Sequence, residues 1–129
     1  ALGISIRDLL SPSGEERTLI RQEEQQLYEY DEYKLQIRRL DFGKKRGIYE
    51  FSTYDPETKD TPPSWGLHPY AEVGVILKGK MEVNLDGTVY LLGPGDSIYI
   101  KPNLYHTMRN AGDTPCRSFW HLQIMDDSV

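Results

Sequence analysis

Residues 81–100 read Met-Glu-Val-Asn-Leu-Asp-Gly-Thr-Val-Tyr-Leu-Leu-Gly-Pro-Gly-Asp-Ser-Ile-Tyr-Ile, and this stretch decides the fold class. Two turn signals, Asp86-Gly87 and the segment 93–96, separate three short apolar-rich runs. An Asp-Gly pair between such runs predicts a β-hairpin, because both central residues of a type I′ turn need positive φ. The stretch therefore predicts successive antiparallel strands joined by tight turns.

Short β-like runs continue on both sides of this stretch. Tyr33, Leu35 and Ile37 alternate with polar residues, which is the period of a strand with one solvated face. Residues 23–26 have helical propensity, but their aromatic and β-branched neighbours favour a strand margin or loop. Without a long helix, the apolar faces must cover one another, so we expect an all-β, jelly-roll-like barrel. The further predicted strands are 18–20, 33–40, 47–54, 72–77, 106–110 and 117–124.

Composition limits the classes of function. The chain has 129 residues and a net charge of −5, which predicts one barrel domain that does not bind nucleic acid directly. We interpret the basic run 44–46 as a solvated loop. Cys116 is the only cysteine, so an intramolecular disulfide is impossible and a cytoplasmic location is expected. No apolar run approaches the length of a bilayer span, so no membrane association is expected.

The first residues have a different character from the rest. Leu2, Ile6, Leu9 and Leu10 fall on one helical face, and a polar Ser-Pro-Ser-Gly stretch follows at 11–14. We therefore predict a short helix and linker over residues 1–14 and a barrel domain over residues 15–129.

The residues that carry chemistry begin with His68 and Glu72. Four residues of straight strand span about 13 Å, too far for the two side chains to share a metal ion. A bend at Pro69, with one strand ending near His68 and the next beginning near Glu72, would bring them together. A single helical turn would also do so, although the β-rich run after Glu72 favours the bend.

Several other side chains are candidates for the same site. His106 follows a proline-marked turn and supplies a third ligand, and Asn110 lies on the same strand face four residues later. Tyr70 and Tyr105 flank the histidines and are candidate ligand-binding residues. We interpret His121 as a structural or surface residue because no motif places it.

Two motifs occur together in this chain. In the first, Glu72 follows His68 and Gly79 comes seven residues after the acid; in the second, Pro94-Gly95-Asp96 precedes His106 and Asn110. With these motifs, residues 18–124 resemble a cupin domain. The resemblance implies a double-stranded β-helix, a ligand in the barrel and a homodimer.

The match to the first cupin motif is incomplete. Gly66 stands where the family has another histidine, so the resemblance implies a metal site of His68, Glu72 and His106 with an open coordination position. Such a set suits Fe(II), and Zn, Mn, Ni or Co are alternatives. A barrel that has lost its metal is the competing interpretation.

The N-terminal segment favours one role over another. Leu2 to Ser11 resembles the exit of the helix-turn-helix domain in bacterial XRE-type regulators that carry a C-terminal cupin. The leading hypothesis is therefore an effector-sensing cupin of a transcriptional regulator, which would contact DNA only through an upstream domain. The alternative is a mononuclear metal oxidoreductase, because the ligand spacing is similar to that of hydroxypropylphosphonate epoxidase. A metal-free interaction module is the third hypothesis.

Overall fold

The computed structural model describes residues 16–43 and 45–124, and this part of the chain is built mainly of β-strands. Two short 3₁₀ helices, Gln22–Glu24 and Asp31–Tyr33, flank the first strand. The strands are β1 Gln26–Tyr30, β2 Leu35–Asp41, β3 Ile48–Tyr54, β4 Ser64–Gly66, β5 Glu72–Lys78, β6 Met81–Leu85, β7 Thr88–Leu92, β8 Ser97–Ile100, β9 His106–Asn110 and β10 Cys116–Leu122.

The strands form two antiparallel sheets. One sheet has the order β1-β2-β3-β10-β5-β8 and the other has the order β4-β9-β6-β7. Strands that are distant in sequence are neighbours in both sheets, as in a jelly-roll barrel of the cupin type. The predicted fold class is confirmed.

The inward face of the larger sheet is arranged in rows, because residues directly opposite each other in an antiparallel pair share a face. One row contains Arg39, Glu50 and Trp120. The next row contains Ile48, Leu122 and Glu72. The charged residues of these rows are therefore inside the barrel, next to its apolar core. That core consists of Leu35, Ile37, Ile48, Tyr54, Tyr70, Ile76, Met81, Val83, Leu92, Ile100, Met108, Cys116, Trp120 and Leu122.

Glycine is required beside the inward-facing Trp120. A Cβ atom on Gly74 would lie only 2.4 Å from Cζ3 of Trp120, so the indole can cross β5 only where a side chain is missing. Trp120 Nε1 then donates a hydrogen bond to Ser118 Oγ at 2.8 Å. The indole of Trp120 on β10 thus packs directly on the backbone of β5, the strand that begins at Glu72.

The turn prediction at Asp86-Gly87 is confirmed. Asp86 has φ 48° and Gly87 has φ 98°, and the turn joins β6 to β7 in register. Residues 33–40 were predicted to be one strand, but Tyr33 lies in a 3₁₀ helix and β2 begins at Leu35.

The prediction of a strand at 18–20 is wrong. These residues are irregular, and Leu19 is 54% exposed. The first strand is β1, and it pairs with β2 over residues 26–30, where Tyr28 and Tyr30 pack on the core. β propensity alone does not make residues 18–20 a strand, because none of the described strands pairs with them. The predicted helix and linker at 1–14 lie outside the described residues.

None of the described helices is long and apolar enough to cross a bilayer.

Candidate metal centre

The bend predicted between His68 and Glu72 is present. β4 ends at Gly66, His68 and Pro69 lie in the connecting segment, and Glu72 is the first residue of β5. The backbone N–H of Asn103 donates to the His68 carbonyl at 2.7 Å, which ties this bend to the turn before His106. His106 itself begins β9. Two strand connections, β4–β5 and β8–β9, therefore bring three side chains to one point.

The three predicted ligands are in close contact and shielded from solvent. Oε2 of Glu72 lies 3.3 Å from Nε2 of His68 and 3.3 Å from Nε2 of His106. The side chains of His68, Glu72 and His106 are 1%, 2% and 0% exposed, respectively. One ligand atom of each residue lies within 4.8 Å of the others, so a single metal ion could contact all three.

Backbone carbonyls set the tautomer of both imidazoles. Nδ1 of His68 faces the Tyr70 carbonyl at 3.0 Å, and Nδ1 of His106 faces the Leu104 carbonyl at 2.9 Å. Because a carbonyl oxygen can only accept, each Nδ1 must carry the hydrogen. In a neutral ring this leaves the lone pair on Nε2, the atom that faces Glu72. Such backbone contacts are the usual support of histidines that bind metals.

The chemistry of this group fits a cation. Nε2 of both histidines and Oε2 of Glu72 are buried and have no hydrogen-bond partner. Three electron-rich atoms facing one another repel unless a positive charge lies between them. One added proton would join Glu72 to one imidazole and leave the other unpaired. A divalent metal ion would satisfy all three atoms at once.

The charge of Glu72 agrees with this geometry. Burial opposes ionisation of the carboxyl group, whereas an N–H donor or a positive charge at His106 and His68 holds its pKa below the ordinary value. With a cation between these side chains, Glu72 would be an anionic ligand at neutral pH.

The three other predicted site residues differ in what their side chains contact. Tyr70 lies against the candidate ligand His68, and the two rings stack at a centroid distance of 4.0 Å. Tyr105 is 48% exposed and stacks on Trp65 at 6.2 Å, so it is not brought to the group.

Asn110 shares the inward face of β9 with His106, but its amide is already used. It donates to the carbonyls of Tyr54 and Thr114 and accepts from the N–H of Gly112. These bonds give Asn110 a structural role. Ligand contacts of Tyr105 and Asn110 stay predictions.

The comparison with known families follows from these features. The Cupin_2 family, described as a cupin domain, matches residues 50–122, which include all three candidate ligands. The chain belongs to the cupin family.

Two regions of curated relatives are also similar to this cupin. Polyketide synthase CurC of Streptomyces cyaneus is 38% identical over 56 residues, and mannose-1-phosphate guanylyltransferase of Escherichia coli K12 is 33% identical over 79 residues.

These matches cover 43% and 57% of this cupin but only 36% and 16% of the two relatives. Solved structures extend the likeness over most of the barrel. An RmlC-like cupin of Shewanella frigidimarina has a TM-score of 0.68 and 19% identity, with 90% of this chain and 99% of that chain covered.

Two further solved structures are relevant to the hypotheses on function. The structure of Fe(II) HppE gives a TM-score of 0.72 at 14% identity, over 82% of this chain and 60% of that one. The Cupin_2 domain of an XRE family transcriptional regulator from Enterobacter cloacae gives 0.62 at 16% identity, over 70% of this chain and 97% of that one. At such identities the likeness establishes the fold of this cupin.

Sequence reasoning missed two charged residues inside this cupin. Arg39 and Glu50 are each 4% exposed. Arg39 continues the inward phase of Leu35 and Ile37, and Glu50 continues that of Ile48, so extending the alternation by one step would have found both. Inward-facing positions are identified from apolar residues, because charged side chains are rarely buried. Buried charged residues are therefore missed.

The surroundings of the site include one open cavity. Tyr70 borders a surface cavity of about 500 Å³, which is also lined by Tyr49, Tyr99 and His121. His121 stacks on Tyr49 at 4.7 Å on the outer side of the larger sheet, away from the three candidate ligands. This position agrees with its interpretation as a structural or surface residue.

Proposed function

We propose that this chain is a metal-dependent, small-molecule-binding cupin domain and that it acts as the effector-sensing part of a transcriptional regulator. The observation that carries the proposal is the convergence of three buried, unpartnered ligand atoms on His68, Glu72 and His106. A bound divalent metal would supply open coordination positions for an oxygen or nitrogen donor of the effector. Iron, zinc, manganese, nickel and cobalt all accept this ligand set.

Metal content is the first test. Protein purified without chelators should contain about one transition-metal ion per chain by mass spectrometry of the elements. Glu72→Gln keeps the volume of the side chain but removes its charge, and should lower metal affinity by at least the roughly 10- to 100-fold that loss of an outer-shell partner costs. His121→Ala is the matched control, because it removes an imidazole outside the site. Equal metal content in Glu72→Gln and the unaltered protein would refute the site.

The sensing role is supported by two resemblances. The N-terminal residues resemble the exit of a helix-turn-helix domain, and this chain covers 97% of the solved XRE-regulator cupin domain. In this role DNA would be contacted by an upstream segment, and the barrel would shift the population of two conformations or dimer arrangements. The natural full-length protein should therefore bind its own promoter with an affinity that changes when the metal is removed by chelation. An affinity that chelation leaves unchanged would count against regulation by this site.

An iron-dependent enzyme is the second candidate. A group of two histidines and one carboxylate is typical of non-haem Fe(II) oxygenases, and HppE was solved in its Fe(II) form. Oxygen uptake by the iron-loaded protein with small organic acids would favour this candidate. Iron-loaded protein that binds ligands without consuming oxygen would favour the sensor.

A further inference from the structure

Arg39 is a buried cation that neither the fold nor the metal ligands require. It lies on the inward face of β2, opposite Glu50 on β3, and is 4% exposed. Within the described part of the chain, the ion pairs do not include Arg39. Burying a charge without a close ion pair is costly, so Arg39 has capacity for a further acceptor.

Only one edge of the Arg39 guanidinium is used by the protein. Nη1 donates to the hydroxyl of Tyr28 at 3.3 Å, and the guanidinium carbon lies 5.6 Å from the centre of the same ring. Nε and Nη2 are buried and have no partner. These two nitrogens form the side-on fork of an arginine, whose parallel N–H groups match the two oxygens of a carboxylate.

Tyr70 adds a third unused donor, next to the candidate metal ligand His68. Its hydroxyl is buried without a hydrogen-bond partner, while its ring stacks on the metal ligand His68. A buried phenol without a partner has a hydrogen to donate, so this hydroxyl can bind an acceptor atom of a ligand.

The balance of charge in the barrel interior favours an anionic ligand. Among the described residues, and with a divalent metal bound, the positive charges of the interior are the metal and Arg39, and the permanent negative charge is Glu72. Burial raises the pKa of Glu50 to about 7, so this carboxyl group supplies only part of a negative charge at neutral pH. The interior then has an excess of positive charge, which a ligand must offset.

We propose that the ligand of this barrel is a small organic acid, whose carboxylate is bound side-on by Nε and Nη2 of Arg39 and accepts a hydrogen bond from the Tyr70 hydroxyl. The inference rests on the proposed function, because it names the class of molecule that the same site takes. A tetrahedral phosphate could use the same donors, but the planar fork matches a carboxylate best.

Calorimetric titration of the zinc-loaded protein tests the inference. The probes are acetate, lactate, succinate and benzoate, each compared with its neutral amide, together with inorganic phosphate. At least one acid should bind about tenfold more tightly than its amide, because only the acid can pair with the fork. Binding no tighter than that of the amides across the whole panel would overturn the proposal. Phosphate binding more tightly than every carboxylate would also overturn it.

Variants test whether Arg39 and Tyr70 bind the acid. Arg39→Gln should lose about tenfold or more in affinity for the best acid, and Tyr70→Phe should lose a few fold. Arg38→Gln is the matched control, since Arg38 is the preceding residue of β2 and faces the other way. If the thermal melt shows that Arg39→Gln does not fold, Arg39→Lys replaces it, because lysine keeps the charge but lacks the fork. Unchanged affinity in a folded Arg39 variant would overturn the proposal.

The same variants separate this inference from the metal site. Arg39→Gln should keep the metal content of the unaltered protein while it loses the acid. If the protein binds no metal at all, the titrations are repeated on the metal-free protein. Binding of an acid that depends on Arg39 would then support the anion site and refute the metal-dependent part of the proposed function.

Discussion

Glu50 is the residue whose ionisation should most affect folding. It is buried opposite Arg39, and burial, together with the charge of Glu72, raises its pKa to about 7. Because the pKa in the folded chain is above that of an unfolded glutamate, the folded state holds the proton more tightly. The resulting stabilisation is fully present below about pH 4.3 and is lost as the pH rises through about 7.

Glu50→Gln should therefore flatten the dependence of stability on pH. At pH 8 the variant should be more stable than the metal-free unaltered protein by up to about 3 kcal/mol, and the difference should shrink towards pH 5. Urea denaturation of both proteins at several pH values measures this. Glu29→Gln, at an exposed position of β1, is the control and should change neither the stability nor its dependence on pH. A variant with the same pH slope as the unaltered protein would show that Glu50 is not buried as a neutral acid.

Single residues were predicted from sequence where spacing reveals chemistry. His68, Glu72 and His106 were predicted as one group, because the bend at Pro69 and the turn before His106 are visible in the chain. Arg39 and Glu50 could not be identified in that way. Their role depends on facing each other across two strands, and a sequence does not state which strands pair.

Among the elements, the end of β9 depends most on one side chain. The Asn110 amide donates to the Tyr54 carbonyl at 2.9 Å and the Thr114 carbonyl at 2.8 Å, and it accepts from the Gly112 N–H at 2.7 Å. It thus holds the connection from β9 to β10 and joins it to the end of β3. Asn84 makes a simpler contact, in which its side chain accepts from the Gly87 N–H at 2.7 Å in an exposed turn.

Asn110→Ala should destabilise the protein by about 2–4 kcal/mol, because two carbonyls and one N–H lose a buried partner. Asn84→Ala should cost less than about 1 kcal/mol, since water can replace the lost bond in the exposed turn. Urea denaturation of the two variants gives the comparison. Equal costs would mean that the buried network contributes no more than a surface turn.

Elements were predicted well where the turn chemistry is local. The hairpin of β6 and β7 follows from Asp86-Gly87, which needs no knowledge of the rest of the chain. The strand at 18–20 was wrong and β1 was missed, because a short strand exists only where a partner pairs with it. The partner of β1 is β2, and residues 26–30 contain no stronger strand pattern than residues 18–20 do.

At the scale of the whole molecule, the jelly-roll barrel follows from the number of short strands and the absence of a covering helix. The pairing of β10 between β3 and β5 did not follow, because it joins segments that are far apart in the chain. Dimer formation, a cytoplasmic location and contact with DNA through an upstream domain stay predictions. They depend on surfaces or partners that lie beyond one barrel.

The whole barrel should gain stability from metal, because the ligand group is assembled only in the folded chain. At a free metal concentration 100 times the dissociation constant, the gain is about 2.7 kcal/mol, which corresponds to a rise in Tm of roughly 10 °C for a domain of this size. Thermal melts with Zn²⁺ and with excess chelator measure the difference. Below about pH 6 the rise should shrink, because protons compete with the metal for His68 and His106.

His106→Ala should remove most of this metal-dependent rise, since one of the three ligands is lost. Mg²⁺ serves as the control ion, because it prefers oxygen ligands and should raise Tm much less than Zn²⁺. Rises of equal size with Zn²⁺ in His106→Ala and in the unaltered protein would place the stabilising metal elsewhere. A rise that is lost in the variant and shrinks as the pH falls would instead mean that metal binding and folding are coupled through the three buried ligand atoms of His68, Glu72 and His106.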